Sequence, residues 1–208
     1  MGGTFGRARG GRVKVRLGRA DCVVVAGLLE AVSGLLEPEA PAGGDAEQVA
    51  GGGEGASTSG PPADDEAALL AQLEADLIPP RPADPAVARL LPDASRDDPE
   101  LAESFRRLTE PDLRERKRGA LALAAAALRR PTPVVLDDSE AQALLKGLTD
   151  VRLVLAERLG IQTDEDAEFL HAAIAAGVGD ADAAWSQAAG LYDVVTFLQE
   201  DLVHTLTP

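Results

Sequence analysis

Three kinds of side chain in this 208-residue sequence are equipped for chemistry: two histidines, one cysteine and a cluster of cations. Glu168-Phe169-Leu170-His171 and Asp201-Leu202-Val203-His204 each set a carboxylate three residues before a histidine, which puts acid and imidazole on one helix face. Bundle metal centres use that spacing but take further inward-facing carboxylates from neighbouring helices. With so few histidines, ordinary surface contact and helix-end capping explain the spacing, and His204 falls where a helix C-terminus favours positive charge. The sequence therefore predicts no metal site and no cofactor. It also lacks a Gly-rich loop ending in Gly-Lys-Ser/Thr, a Gly-x-Ser-x-Gly and a His-Glu-x-x-His, so no catalytic residue is assigned and the reading is of a protein that is not an enzyme.

Cys22 is the redox candidate. It falls in the opening turn of a helix, where the positive end of the backbone dipole favours a thiolate, while Asp21 beside it opposes one. A buried, small apolar residue is the competing reading. A lone cysteine has no intramolecular disulfide partner, which suits a reducing cytoplasm and limits any redox role to a mixed or intermolecular disulfide.

The basic interaction patch is Arg106, Arg107, Arg114, Arg116, Lys117 and Arg118, flanking Thr109-Glu110-Pro111. Such a cluster can grip phosphates or an acidic protein, or it can be a solvated, salt-bridged helix face. Glu103, Glu110, Asp112 and Glu115 dilute its field, and neither a helix-turn-helix nor interleaved aromatics accompany it.

The elements that must carry these groups follow from spacing. Residues 1–12 are Gly/Arg-rich and read as a flexible basic leader. Residues 13–37 form a strand-helix unit, with Val13, Val15 and Leu17 alternating with Lys14 and Arg16, then a helix from Asp21 to Leu36. Residues 38–64 are an acidic Gly/Pro/Ser stretch without apolar periodicity, expected to be a disordered linker. A helical domain over 65–208 packs with 13–37. Its elements begin with a short helix through Leu69, Leu70, Leu73 and Leu77. Asp98-Pro99 and Glu110-Pro111 announce two helices, at about 98–108 and 111–130.

Val134 to Leu136 reads as a short strand, and Asp137 with Glu140 as a capping box for a helix closed by Gly160. This second strand-helix unit echoes the first, so the two strands are expected to pair. A helix at about 164–176 and a last one at 180–206 follow. Ala184, Ala188, Leu191, Val195, Leu198 and Leu202 recur in the last at alternating four and three, a seam for an intramolecular neighbour or for a homodimer over 184–202. The fold class predicted is mainly α, a bundle-like single domain with two short strands.

Three blocks of this sequence also carry a resemblance. ARLLPDASRDDPELAESFRRLTEPDLRERK (Ala88 to Lys117) and VVLDDSEAQALLKGLTDVRLVLAERLGI (Val134 to Ile161), with LYDVVTFLQEDLVHTL (Leu191 to Leu206), are similar to the actinobacterial domain-of-unknown-function family of AosR-type oxidative stress transcriptional regulators. The resemblance implies a cytoplasmic, non-enzymatic regulator working on the transcription machinery, polymerase or sigma factor. Members tend to be encoded beside the ClpS adaptor, which implies the ClpS/Clp proteolysis system as an alternative partner; a metal-carboxylate enzyme is the distant reading. A redox-sensing regulator that switches by an internal disulfide needs two cysteines, a point at which this chain departs from the pattern.

Charge bears on the partner. The net charge is −15, but residues 1–19 hold six basic and no acidic side chains, whereas residues 37–76 hold ten acidic and no basic ones. A globally acidic chain repels phosphate backbones, so DNA contact is expected to be secondary and local, and basic proteins are the easier partners. The longest apolar runs fall well short of the roughly 18–20 residues of a membrane span, so no membrane is expected.

Overall fold

Alternating Val13-Lys14-Val15 builds the middle strand of a three-stranded antiparallel sheet in the computed structural model, which describes residues 3–37, 82–95, 97–175 and 183–207. The strands are β1 (Phe5–Arg7), β2 (Val13–Val15) and β3 (Val135–Leu136), in the order β1-β2-β3. Val13 pairs with Leu136 and Phe5 with Val15. The two strand-helix units thus pair as their echo implies.

The third strand corrects the expected flexible leader and the count of two strands. Phe5 is buried, and Gly10 and Gly11, both at φ +75°, turn the chain back onto β2 in a left-handed conformation that suits glycine. The Phe5 amide donates to Asp201 Oδ2 at 2.8 Å, and Arg7 Nε donates to the Thr205 carbonyl at 3.0 Å. A three-residue strand shows no periodicity of its own; its order comes from these distant partners.

The helices are α1 (Arg19–Leu35), α2 (Pro85–Leu90), α3 (Pro99–Arg129), α4 (Asp138–Leu159), α5 (Asp164–Ala175) and α6 (Ala183–Leu206). Asp84 and Asp98 cap α2 and α3 by accepting from Ala86 N and Leu101 N, with Pro at the first helical position. The capping box stands as predicted: Asp137 accepts from Glu140 N at 2.9 Å, and Glu140 accepts from Asp137 N at 3.0 Å. Gly160, at φ +74°, closes α4.

The expected break at Glu110-Pro111 does not occur. Pro111 lies inside a single 31-residue α3, where it cannot donate to the Arg107 carbonyl. Two contacts carry helical geometry through the break. The Thr109 hydroxyl donates to the Phe105 carbonyl at 2.8 Å instead of capping a new helix, and Glu110, itself buried, pairs with Arg114 one turn on.

α4 is the hub, packing against α1, α2, α3 and α6. Leu144, Leu148 and Val151 from α4 meet Leu29 and Val32 of α1, Leu121 and Leu128 of α3, and Leu198 and Leu202 of α6 in one core. A fully buried leucine contributes roughly 1.5–3 kcal/mol. Gly147 permits a close approach of α4 to α1: a Cβ there would lie 2.5 Å from Leu29 Cδ2. A smaller cluster of Ala156, Ile161, Leu170, Ala189 and Tyr192 ties α5 and α6 to the end of α4.

The α6 seam packs within the chain, against α4. Val195, Leu198 and Leu202 are buried as the heptad spacing implies, but upstream the buried positions move to Ala189 and Tyr192, and Ala184 is exposed. There α6 faces α5 rather than the middle of α4, so the buried stripe rotates. The 38–64 linker and the helix through Leu69 and Leu77 lie outside the described residues. Among the described residues, no helix is long and apolar enough to cross a membrane.

Candidate interaction surface

α3 carries all six cations of the predicted patch, and the fold pairs most of them with carboxylates. A helix advances about 100° per residue, so Arg106, Lys117, Arg114, Arg107 and Arg118 share an arc of about 120° and Arg116 alone points away from it. Glu110, only 3% exposed, holds Arg114 at 2.7 Å, and Arg114 also reaches the Leu36 carbonyl at the end of α1. Lys117 reaches into the α3–α4 interface, where its Nζ meets Asp150 Oδ1 at 2.6 Å. Arg118 pairs with Glu37 at 3.5 Å and Arg106 with Asp93 at 3.6 Å. These four cations are held by carboxylates of the same chain, so their charge is locally cancelled.

Arg107 and Arg116 are exposed and make no ion pair among the described residues. They are nine positions apart, which places them about 180° around α3 and about 13 Å along it. The structure therefore does not bring the six residues together as one basic surface. The partners of Lys117 and Arg118 were beyond sequence reasoning, because Asp150 and Glu37 are distant in the chain.

Another feature of α3 is a surface that the sequence reading passed over. Leu101, Phe105 and Leu108 are 53%, 50% and 76% exposed. At spacings of four and three they form one stripe about 60° wide, and Arg116 extends the same face toward the C-terminus, within about 20° of Phe105. Their spacing was readable as an amphipathic stripe, but the opposite face, with Ala102, Leu113 and Leu121, is the one the fold buries or half-buries. Sequence periodicity alone shows apolar positions without showing which of two stripes meets the core.

Cys22 is placed in α1 with 1% exposure, its Sγ pointing toward the Leu17 carbonyl. Burial pushes the thiol above its ordinary pKa; Asp21 adds to the rise and Arg19 opposes it. A thiol kept protonated and covered is a poor nucleophile, so the geometry favours a packing role over a redox one.

The histidines separate from the carboxylates that precede them. His171 Nδ1 contacts Asp193 Oδ1 of α6 at 2.8 Å, and His204 Nδ1 lies 2.9 Å from the Glu200 carbonyl. Asp201, the acid three residues before His204, instead accepts the Phe5 amide. No group of three or more His, Cys, Asp or Glu side chains arranged to hold a metal occurs among the described residues.

With this geometry in place, comparison supplies the family. The model for a domain of unknown function, DUF2017, matches residues 2–206. The chain belongs to the DUF2017 family. The match runs from β1 through α6, so the clasp between Phe5 and Asp201 and the exposed stripe on α3 both fall within the DUF2017 domain. No curated protein and no solved structure matches this DUF2017 chain.

Proposed function

We propose that this DUF2017 protein is a non-enzymatic cytoplasmic regulator that works by protein–protein contact, of the kind represented by AosR-type oxidative stress transcriptional regulators. Its partner is a component of the transcription machinery, polymerase or sigma factor, with DNA contact secondary. The observation that carries the reading is the exposed stripe Leu101, Phe105 and Leu108 on α3. Three large apolar side chains in a row on a helix, with a free arginine at one end, suit a partner helix or groove better than solvent. The pairing of four of the six cations with carboxylates of the same chain favours protein over nucleic acid, since a phosphate backbone is gripped by free cations that act together.

Affinity capture from native cytoplasm with the full chain and with a Phe105→Ser/Leu108→Ser variant tests the reading. Both residues are at least half exposed, so the variant should keep its thermal midpoint. Retention of a polymerase subunit or sigma factor by the parent chain and its loss by the variant is the expected result. Recovery of ClpS or Clp components alone, unaffected by the variant, overturns it in favour of the proteolysis system.

A further inference from the structure

The sheet carries a row of free cations on its outer face. Val13 and Val15 of β2 turn inward and are buried, so the alternate positions of the same strand turn outward. Arg12, Lys14 and Arg16 hold those positions; all three are exposed, and none makes an ion pair among the described residues. The strand ladder runs through them, since the Ala8 amide donates to the Arg12 carbonyl and the Arg16 amide to the Thr4 carbonyl, both at 2.8 Å. The row is therefore as extended as β2 itself, about 13 Å from end to end.

Its neighbours leave it open. A Cβ on Gly6 would lie 2.6 Å from Arg16 Nη2, so a glycine on β1 lets this guanidinium lie across the hairpin, where Nη1 donates to the Gly3 carbonyl at 3.3 Å. Arg9 adds an exposed cation in the turn, and residues 1–19 hold no acidic side chain. Asp137 and Asp138 follow β3 and bound the row at its Arg12 end, where Asp137 already accepts from the Glu140 amide and the Ser139 hydroxyl. Asp201, beyond β1, accepts the Phe5 amide.

Three like charges along one strand face repel one another, and a polyanion laid over them removes that repulsion. Phosphates recur about every 3.4 Å of axis along each DNA strand, so a row about 13 Å long meets about four of them. An acidic protein surface has no such fixed repeat. Phe5, the one aromatic residue of the hairpin, is buried, which takes away the stacking platform that single strands use and favours the backbone of a duplex. The acidic remainder of the chain does not forbid the contact, because exposed charges more than about 8 Å apart are largely screened at physiological salt.

We infer that the outer face of the β1–β2 hairpin binds the phosphate backbone of duplex DNA through Arg12, Lys14 and Arg16. This is the secondary DNA contact of the proposed function given a place, and to that extent it rests on that reading.

Fluorescence anisotropy of a labelled duplex, titrated with the full-length protein between about 50 and 200 mM salt, tests it. The parent chain is compared with Arg12→Gln/Lys14→Gln/Arg16→Gln, with the charge-keeping Arg12→Lys/Arg16→Lys and with Phe105→Ser/Leu108→Ser. The Gln variant should bind at least about tenfold more weakly at the lowest salt, with a log–log salt slope shallower by about 0.9 for each cation removed. The other two variants should bind as the parent does. If the Gln variant melts early, Lys14→Gln alone carries the test with one cation's share of the slope. Unchanged affinity in the Gln variant overturns the inference, as does a parent chain without salt-dependent binding. So does loss of binding in the Phe105→Ser/Leu108→Ser variant with the Gln variant unaffected, which puts the DNA contact on α3. Competition by poly-glutamate as strong as by duplex at matched charge also overturns it, making an acidic protein the partner. Capture of polymerase or sigma factor depends on the α3 stripe and not on this row, so failure of one reading leaves the other result standing.

Discussion

Lys117 Nζ lies 2.6 Å from Asp150 Oδ1 across the α3–α4 interface, with Asp150 only 5% exposed. The pair joins the longest helix to the hub helix, and its members differ in what their loss would do. Lys117→Met leaves an uncompensated carboxylate near the core and should cost about 1–3 kcal/mol, less than for a fully buried pair because the lysine is partly in water. Asp150→Leu with Lys117→Met removes both charges and should recover much of that loss. Urea unfolding of the two single variants and the double variant measures the coupling.

Gly147 predicts an effect of backbone proximity. Gly147→Ala forces a methyl to within 2.5 Å of Leu29 Cδ2, so α1 and α4 must separate or Leu29 must leave its rotamer. A loss of about 1–3 kcal/mol in urea unfolding is expected. Gly190 in α6 is the control: its added Cβ meets nothing within 4 Å, and Gly190→Ala should stabilise the protein by roughly 0.5–1 kcal/mol.

Acid should loosen the helix starts. The Asp137 carboxyl is held below the usual carboxylate range by the Glu140 amide and the Ser139 hydroxyl, and Asp166 by the Gln162 and Thr163 amides. A folded pKa below the unfolded one means the stabilisation is present in full above the unfolded value, near pH ~4, and is lost as pH falls through the folded value. The thermal midpoint should therefore drop below about pH 4, and Asp137→Asn, which can still accept the Glu140 amide, should flatten part of that drop. Melting curves at descending pH decide this.

The burial of Cys22 makes its alkylation a reporter of opening. In the folded chain iodoacetamide should label it far more slowly than in urea, and a faster rate should accompany any variant that loosens α1. If peroxide alters partner binding, Cys22→Ser should leave that response in place.

Features whose partners are neighbours in the chain were readable from residue types. Asp137 and Glu140 stand three apart, Gly160 ends a periodic run, and the pattern of Val15 and Leu17, matched by Val134 and Leu136, anticipates the pairing of β2 with β3. What distant residues decide was not readable. Phe5 joins the sheet because β2 and Asp201 receive it, and α3 runs through Pro111 because Glu110 is buried against Arg114. The candidate surface shows the same division. The six cations were visible as a cluster, but Asp150, Glu37 and Asp93 cancel three of them only after folding, and Glu110 a fourth from one turn away, leaving Leu101, Phe105 and Leu108 as the feature that needs a partner.

The sheet also sets an order of assembly. β1 and β2 leave the ribosome together as a hairpin, but β3 is made more than a hundred residues later, and the Asp201 carboxylate that holds Phe5 later still. Contacts so far apart in sequence close slowly. During synthesis β2 therefore presents an open edge beside Val13 and Val15 until α3 has been completed and Val134 to Leu136 arrive to cover it.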